Sequence, residues 1–140
     1  MNRKEFLRAT ALTLAAAAVG SSFLESCAKT NTSPQGPSVN FTVDLSKAAF
    51  SALNAMGGYA YSNGVVITRI SSGTDGFIAL SQTCTHQGCT IAYQATSMMF
   101  VCPCHGGTYD PNGNVTGGPP TSPVKKYAVT RSNNILTIKG

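Results

Sequence analysis

Apolar and polar residues alternate along Val39–Leu45, with Val39, Phe41, Val43 and Leu45 on one face. That period of two predicts a half-buried strand. Ala48–Met56 is apolar but short and predicts a turn or a single helical turn, ended by Gly57-Gly58. Tyr59–Tyr61 and Val65–Ile70 flank Ser62-Asn63-Gly64, and an Asn-Gly pair between strand-like runs predicts a hairpin because both residues accept positive φ. Gly73–Gly76 is a turn and Gly76–Ser81 a further strand. Thr90–Tyr93 and Met98–Val101 are short strands around Gln94–Ser97, and Tyr127–Arg131 and Ile135–Ile138 form a last hairpin through Ser132-Asn133-Asn134. No segment carries helical periodicity. Short strands separated by frequent turns predict an all-β fold, a small antiparallel sandwich or barrel, over residues 39–140.

Composition agrees with this and narrows it. The chain has 140 residues, 11% of them charged, with 14 Gly and 7 Pro, enough for one small domain with short appendages. So small a core gains from a metal cluster or a disulfide. The formal charge is +5, but Arg3, Lys4 and Arg8 lie at the extreme N-terminus. Removing residues 1–26 leaves seven basic residues against three acids, a charge of +4. No basic cluster interleaved with aromatics is present, which excludes nucleic acid as a partner on these criteria.

The N-terminus reads as an address. A basic head, Met1–Arg8, precedes an Ala-rich apolar run from Ala9 to Leu24, the order found in secretory signals. The run is about 16 residues, short of the ~20 needed to span hydrocarbon. Arg3-Lys4-Glu5-Phe6-Leu7-Arg8 resembles a twin-arginine export signal with Lys4 in the second Arg place, and Leu24-Glu25-Ser26-Cys27 resembles a bacterial lipobox. The expectation is an export and lipoprotein signal over residues 1–26, lipidation at Cys27, and a membrane-anchored protein on the periplasmic side of a bacterium. An uncleaved N-terminal membrane anchor is the alternative, and a free thiol at Cys27 the plainest reading. Residues 27–38 are polar and hold Pro34, Gly36 and Pro37, so a flexible linker is expected.

The chemistry sits in two short stretches, Cys84-Thr85-His86-Gln87-Gly88-Cys89 and Cys102-Pro103-Cys104-His105-Gly106-Gly107. Each supplies a Cys and a His plus one further Cys. Thiolates and imidazoles suit iron–sulfur clusters, zinc and copper, and two loops with two ligands each can grip one object from opposite sides. Glycines here permit close backbone approach.

Together CTHQGC and CPCHGG resemble the paired motifs of the Rieske family, over roughly residues 76–124. The resemblance implies a 2Fe–2S cluster, one per chain, with Cys84 and Cys102 on one iron and His86 and His105 on the other. Neutral imidazoles in place of two thiolates raise the potential. It implies a Cys89–Cys104 disulfide, as in the high-potential branch, in keeping with an exported protein. It implies that the Tyr109 hydroxyl donates to a ligand thiolate and that Gly117-Gly118-Pro119-Pro120 covers the cluster. Gly107 stands where quinol-oxidising members usually have Ser, and Gln87 where they usually have Leu. A missing hydroxyl donor lowers the potential, so Gly107→Ser is expected to raise it.

The resemblance therefore implies one-electron transfer by an exported, membrane-tethered carrier or small oxidoreductase subunit, with a cytochrome or an oxidoreductase large subunit as redox partner. The alternative is the Rieske subunit of a cytochrome bc-type quinol oxidoreductase, with quinol as its substrate. A Cys/His zinc site leaves the extra cysteines and the Gly/Pro pattern unexplained. A disulfide-only binding module leaves both histidines unexplained. A self-contained oxygenase needs a second iron held by two His and a carboxylate, and the only histidines, His86 and His105, are already used.

Overall fold

A computed structural model describes residues 34–140. The signal and lipidation expectations at residues 1–27 lie outside the described residues. Residues Thr32–Gly140 cluster as one compact unit.

The fold is all-β, as the alternation predicts, and built from two sheets. The strands are β1 (Asn40–Asp44), β2 (Tyr59–Ser62), β3 (Val65–Arg69), β4 (Phe77–Ser81), β5 (Ala92–Gln94), β6 (Met99–Val101), β7 (Thr108–Tyr109), β8 (Val115–Gly117), β9 (Lys126–Ser132) and β10 (Ile135–Lys139). The larger sheet has the order β1-β10-β9-β4-β3-β2 and the smaller β5-β6-β7-β8. Every strand pair is antiparallel. The Asn63-Gly64 hairpin forms as expected, with φ of 50° and 77° and Ser62 paired to Val65. Ala48–Asn54 is a seven-residue 3-10 helix rather than a bare turn, with Leu53 buried beneath it.

β3 and β4 explain their own composition. Their residues run almost unbroken as buried positions, and the two faces serve different cores. Val65, Ile67, Phe77 and Ala79 pack with Val43, Leu53, Tyr127, Leu136 and Ile138. Val66, Ile78 and Leu80 face the other way, onto Ile91, Tyr93, Phe100, Tyr109, Cys84 and Cys102. A strand covered on both sides loses its alternation and reads as a continuous apolar run. Thr68 is the polar exception among the buried positions of β3, and its hydroxyl donates to the Gly58 carbonyl at 2.9 Å.

β7 and β8 have no counterpart in the sequence prediction. Two- and three-residue strands rich in Thr and Gly carry no period. They form because Phe100 pairs with Tyr109 and Val101 with Thr108, and because Asp110 closes the turn between them. Asp110 Oδ1 accepts from the N–H groups of Asn112 at 2.8 Å and Asn114 at 2.9 Å.

The end of the expected linker is held against the domain. Gln35 forms an isolated parallel bridge with Val124. Its N–H donates to the Pro123 carbonyl at 3.0 Å, and the Lys125 N–H donates to its carbonyl at 2.8 Å. Tyr127 Oη donates to the Pro37 carbonyl at 2.7 Å. Gly36 sits in a slot where an added Cβ would lie 2.7–2.9 Å from Tyr127 Oη, Lys125 Cβ and Ser81 Cβ. This five-residue strap, 34–38, lies directly behind the segment that leaves the Gly/Pro loop.

Candidate metal centre

The two Cys/His loops share one backbone design. The Cys84 N–H donates to the Cys89 carbonyl at 2.7 Å and the Gly88 N–H to the Cys84 carbonyl at 2.9 Å. In the second loop the Cys102 N–H donates to the Gly107 carbonyl at 2.7 Å and the Gly106 N–H to the Cys102 carbonyl at 3.0 Å. The tight closure needs a left-handed residue, supplied by Gly88 (φ 76°) and Gly106 (φ 72°). In each loop the amides that follow the first cysteine, those of His86 and Gln87 after Cys84 and those of Cys104 and His105 after Cys102, favour the thiolate form of that cysteine.

The donor atoms sort into two pairs. Cys84 and Cys102 are free thiols, both buried, and each shifts the ionisation of the other. His86 and His105 are exposed, and their rings meet edge-to-face with centroids 4.9 Å apart. The other two cysteines among the described residues, Cys89 and Cys104, form a disulfide that ties the loops together, with Cα atoms 6.4 Å apart. Cys89, Cys102 and Cys104 bring their sulfurs within 4.8 Å of one another, but the disulfide occupies two of these, so Cys102 alone of the three offers a thiolate.

Burial opposes ionisation of both thiols, and the two differ in what answers it. At Cys84 the Tyr109 hydroxyl and the loop amides outweigh burial and hold the thiol below its ordinary value of 9.0. At Cys102 burial and the neighbouring Cys84 prevail and push the thiol up. Tyr109 is itself pushed up, by burial and then by Cys84, so its phenol remains a donor. Its hydroxyl lies 3.3 Å from Cys84 Sγ.

The Gly/Pro loop covers the second Cys/His loop closely. An added Cβ at Gly118 would lie 2.7 Å from Gly107 Cα, and one at Gly107 would lie 2.6 Å from Pro120 Cγ. Gly107 is thus enclosed by a proline ring on the side where a side chain would start.

Residues 39–128 match the family profile described as Rieske [2Fe-2S] domain. The chain belongs to the Rieske family. A Rieske domain carries a 2Fe–2S cluster, and two buried thiols beside two exposed imidazoles fit a cluster with one sulfur-ligated and one nitrogen-ligated iron. Among curated Rieske relatives, the cytochrome b6-f complex iron-sulfur subunit 3 of Nostoc sp. is 41% identical over 61 residues, 44% of this chain and 34% of that protein. The chain thus matches about a third of that relative's length. The plasma membrane Rieske protein PetC3 of the cyanobacterium Synechocystis superposes with a TM-score of 0.55 at 30% identity, covering 73% of this chain and 99% of that one. A hyperthermophilic respiratory Complex III chain shares the fold at a TM-score of 0.50 and 24% identity, covering 91% of this chain and 98% of that one.

Two contributors to the Rieske site escape sequence reasoning. Thr85 bonds both Tyr109 and Ser122, yet nothing in the sequence places Ser122 against it. Pro120 is legible as loop composition, but its contact with Gly107 is not. A hydroxyl residue between two candidate ligands is the one sequence signal that could have drawn attention to Thr85.

Proposed function

We propose that this chain is a one-electron carrier in which Cys84 and Cys102 bind one iron of the 2Fe–2S cluster and His86 and His105 bind the other. The observation that carries it is the sorting of donors, with the thiols paired and buried and the imidazoles paired and exposed at the loop tips. The bound cluster supplies reversible uptake of a single electron. The chain's own groups do the rest. Amides of both loops and the Tyr109 hydroxyl stabilise negative charge at the sulfurs. The disulfide and the Gly/Pro loop hold the two halves together and keep water from the thiolate side. The exposed imidazoles offer the short path to a redox partner, a cytochrome or an oxidoreductase large subunit.

The location follows from the N-terminal reading. Residues 1–26 act as export signal, Cys27 carries lipid, and residues 39–140 form the electron-carrying domain on the periplasmic side. No helix among the described residues is long and apolar enough to cross a membrane.

Purified protein should contain two iron and two sulfide per chain and show the visible and electron-spin signatures of a mixed-ligand cluster. One zinc per chain in a colourless protein would overturn the assignment. A second reading, the Rieske subunit of a quinol-oxidising complex, is favoured by the similarity to a cytochrome b6-f subunit. Gly107 and the exposed Gln87 speak for the free carrier instead. Recovery of a cytochrome b in a pull-down, with quinol-dependent reduction, would decide for the complex.

A further inference from the structure

The hydrogen bonds around Tyr109 do not add up to a simple donor on Cys84. Thr85 Oγ1 lies 2.7 Å from the Ser122 carbonyl oxygen. A carbonyl only accepts, so the single hydroxyl proton of Thr85 is committed there. Thr85 Oγ1 also lies 3.0 Å from Tyr109 Oη, and with its own proton spent that bond requires the proton of Tyr109. The Thr85 N–H meanwhile donates to Tyr109 Oη at 3.2 Å. Cys84 Sγ stands 3.3 Å from the same oxygen, and as a thiolate it can only accept. Tyr109 is fully buried, so its one proton is divided between two acceptors, the Cys84 sulfur and the Thr85 oxygen.

We propose that Thr85 is a positioning residue that draws the Tyr109 proton away from Cys84 and so holds the reduction potential below what the tyrosine alone would give. This rests on Cys84 being a cluster ligand, as proposed above. A donor to the thiolate favours the reduced, more negative cluster. Any competing acceptor weakens that preference. The consequence runs against intuition, because removing a polar group beside the cluster raises the potential. Ser122 enters as the group that fixes the direction. By accepting the Thr85 proton it turns the threonine oxygen into an acceptor toward Tyr109.

The test is a set of potentials and electron-spin spectra on full-length holoprotein. Thr85→Val should shift the one-electron equilibrium toward the reduced form by roughly threefold, within the free energy of part of one hydrogen bond. Thr85→Ser keeps the hydroxyl and should restore the wild-type value. Tyr109→Phe should lower the potential, and in that background Thr85→Val should have no further effect, since there is no proton to compete for. Thr85→Ala is the second probe should valine distort the loop. An unchanged or lowered potential in Thr85→Val and Thr85→Ala overturns the proposal, as does a rise that persists in Tyr109→Phe. Loss of the cluster from both variants would make Thr85 a structural staple and overturn it equally. Failure of the ligand assignment would look different, because the wild type itself would lack the mixed-ligand spectrum.

Discussion

Gly107 shows how a residue-scale expectation changes once its neighbours are known. From sequence, Gly107→Ser adds a hydroxyl donor and raises the potential. In the folded chain the serine Cβ would meet Pro120 Cγ at 2.6 Å, far inside contact distance, so the ring or the loop must move first. Overpacking of this kind typically costs about 1–3 kcal/mol. Gly107→Ser alone should therefore lower the urea midpoint and loosen the cluster. Gly107→Ser/Pro120→Ala should recover most of the loss and only then reveal the rise in potential. Equal midpoints for the single and double variants would show that Pro120 yields freely. The candidate ligands at 84, 86, 102 and 105 stand out in the sequence because Cys and His have few other uses at such spacing. The Gly107–Pro120 contact was not, since it joins positions whose proximity only the fold creates.

Among elements, the strands with a clear period or a long apolar run were foreseen, and β7 and β8 were not, because their information lies in a turn rather than a pattern. Asp110 is the clearest part of that turn. Burial pushes its carboxyl up, but the bonds from Asn114 and Asn112 and the charge of Lys126 outweigh it and hold it below the ordinary 3.8. A carboxylate depressed in the folded state adds stability that is fully present above its unfolded value and fades as pH falls through the lower folded value. Asp110→Ala should thus reduce the urea midpoint at pH 7, and the gap from wild type should narrow steadily below about pH 4. A gap independent of pH would remove the charge from the explanation. Gly113, in the same turn, has φ 87° and would place a Cβ in direct clash with the Val124 carbonyl oxygen. Gly113→Ala should therefore destabilise the chain, by more than the ~1–2 kcal/mol that a non-glycine residue costs in the left-handed region alone, as thermal unfolding would register.

At the scale of the whole molecule the Cys89–Cys104 disulfide joins two loops separated by 15 positions, and closing a loop of that length is worth about 3 kcal/mol in the unfolded chain. Cys89→Ser should lower stability by about that amount and speed cluster loss in air, while iron content of fresh protein stays at two per chain. A variant as durable as wild type would assign the clamp to the Gly/Pro loop instead. The strap bears on a different quantity, the volume the carrier can explore. Because Gln35 is already fastened to Val124, the domain's pivot lies at residue 35 and not at the start of β1. If Cys27 carries the lipid, as proposed, only eight peptide steps would separate membrane from pivot, at most about 28 Å. Such a short leash would confine the exposed histidines to a shell near the bilayer. It would raise their effective concentration toward partners standing in that shell and leave soluble proteins deeper in the periplasm out of reach until they diffuse to the surface.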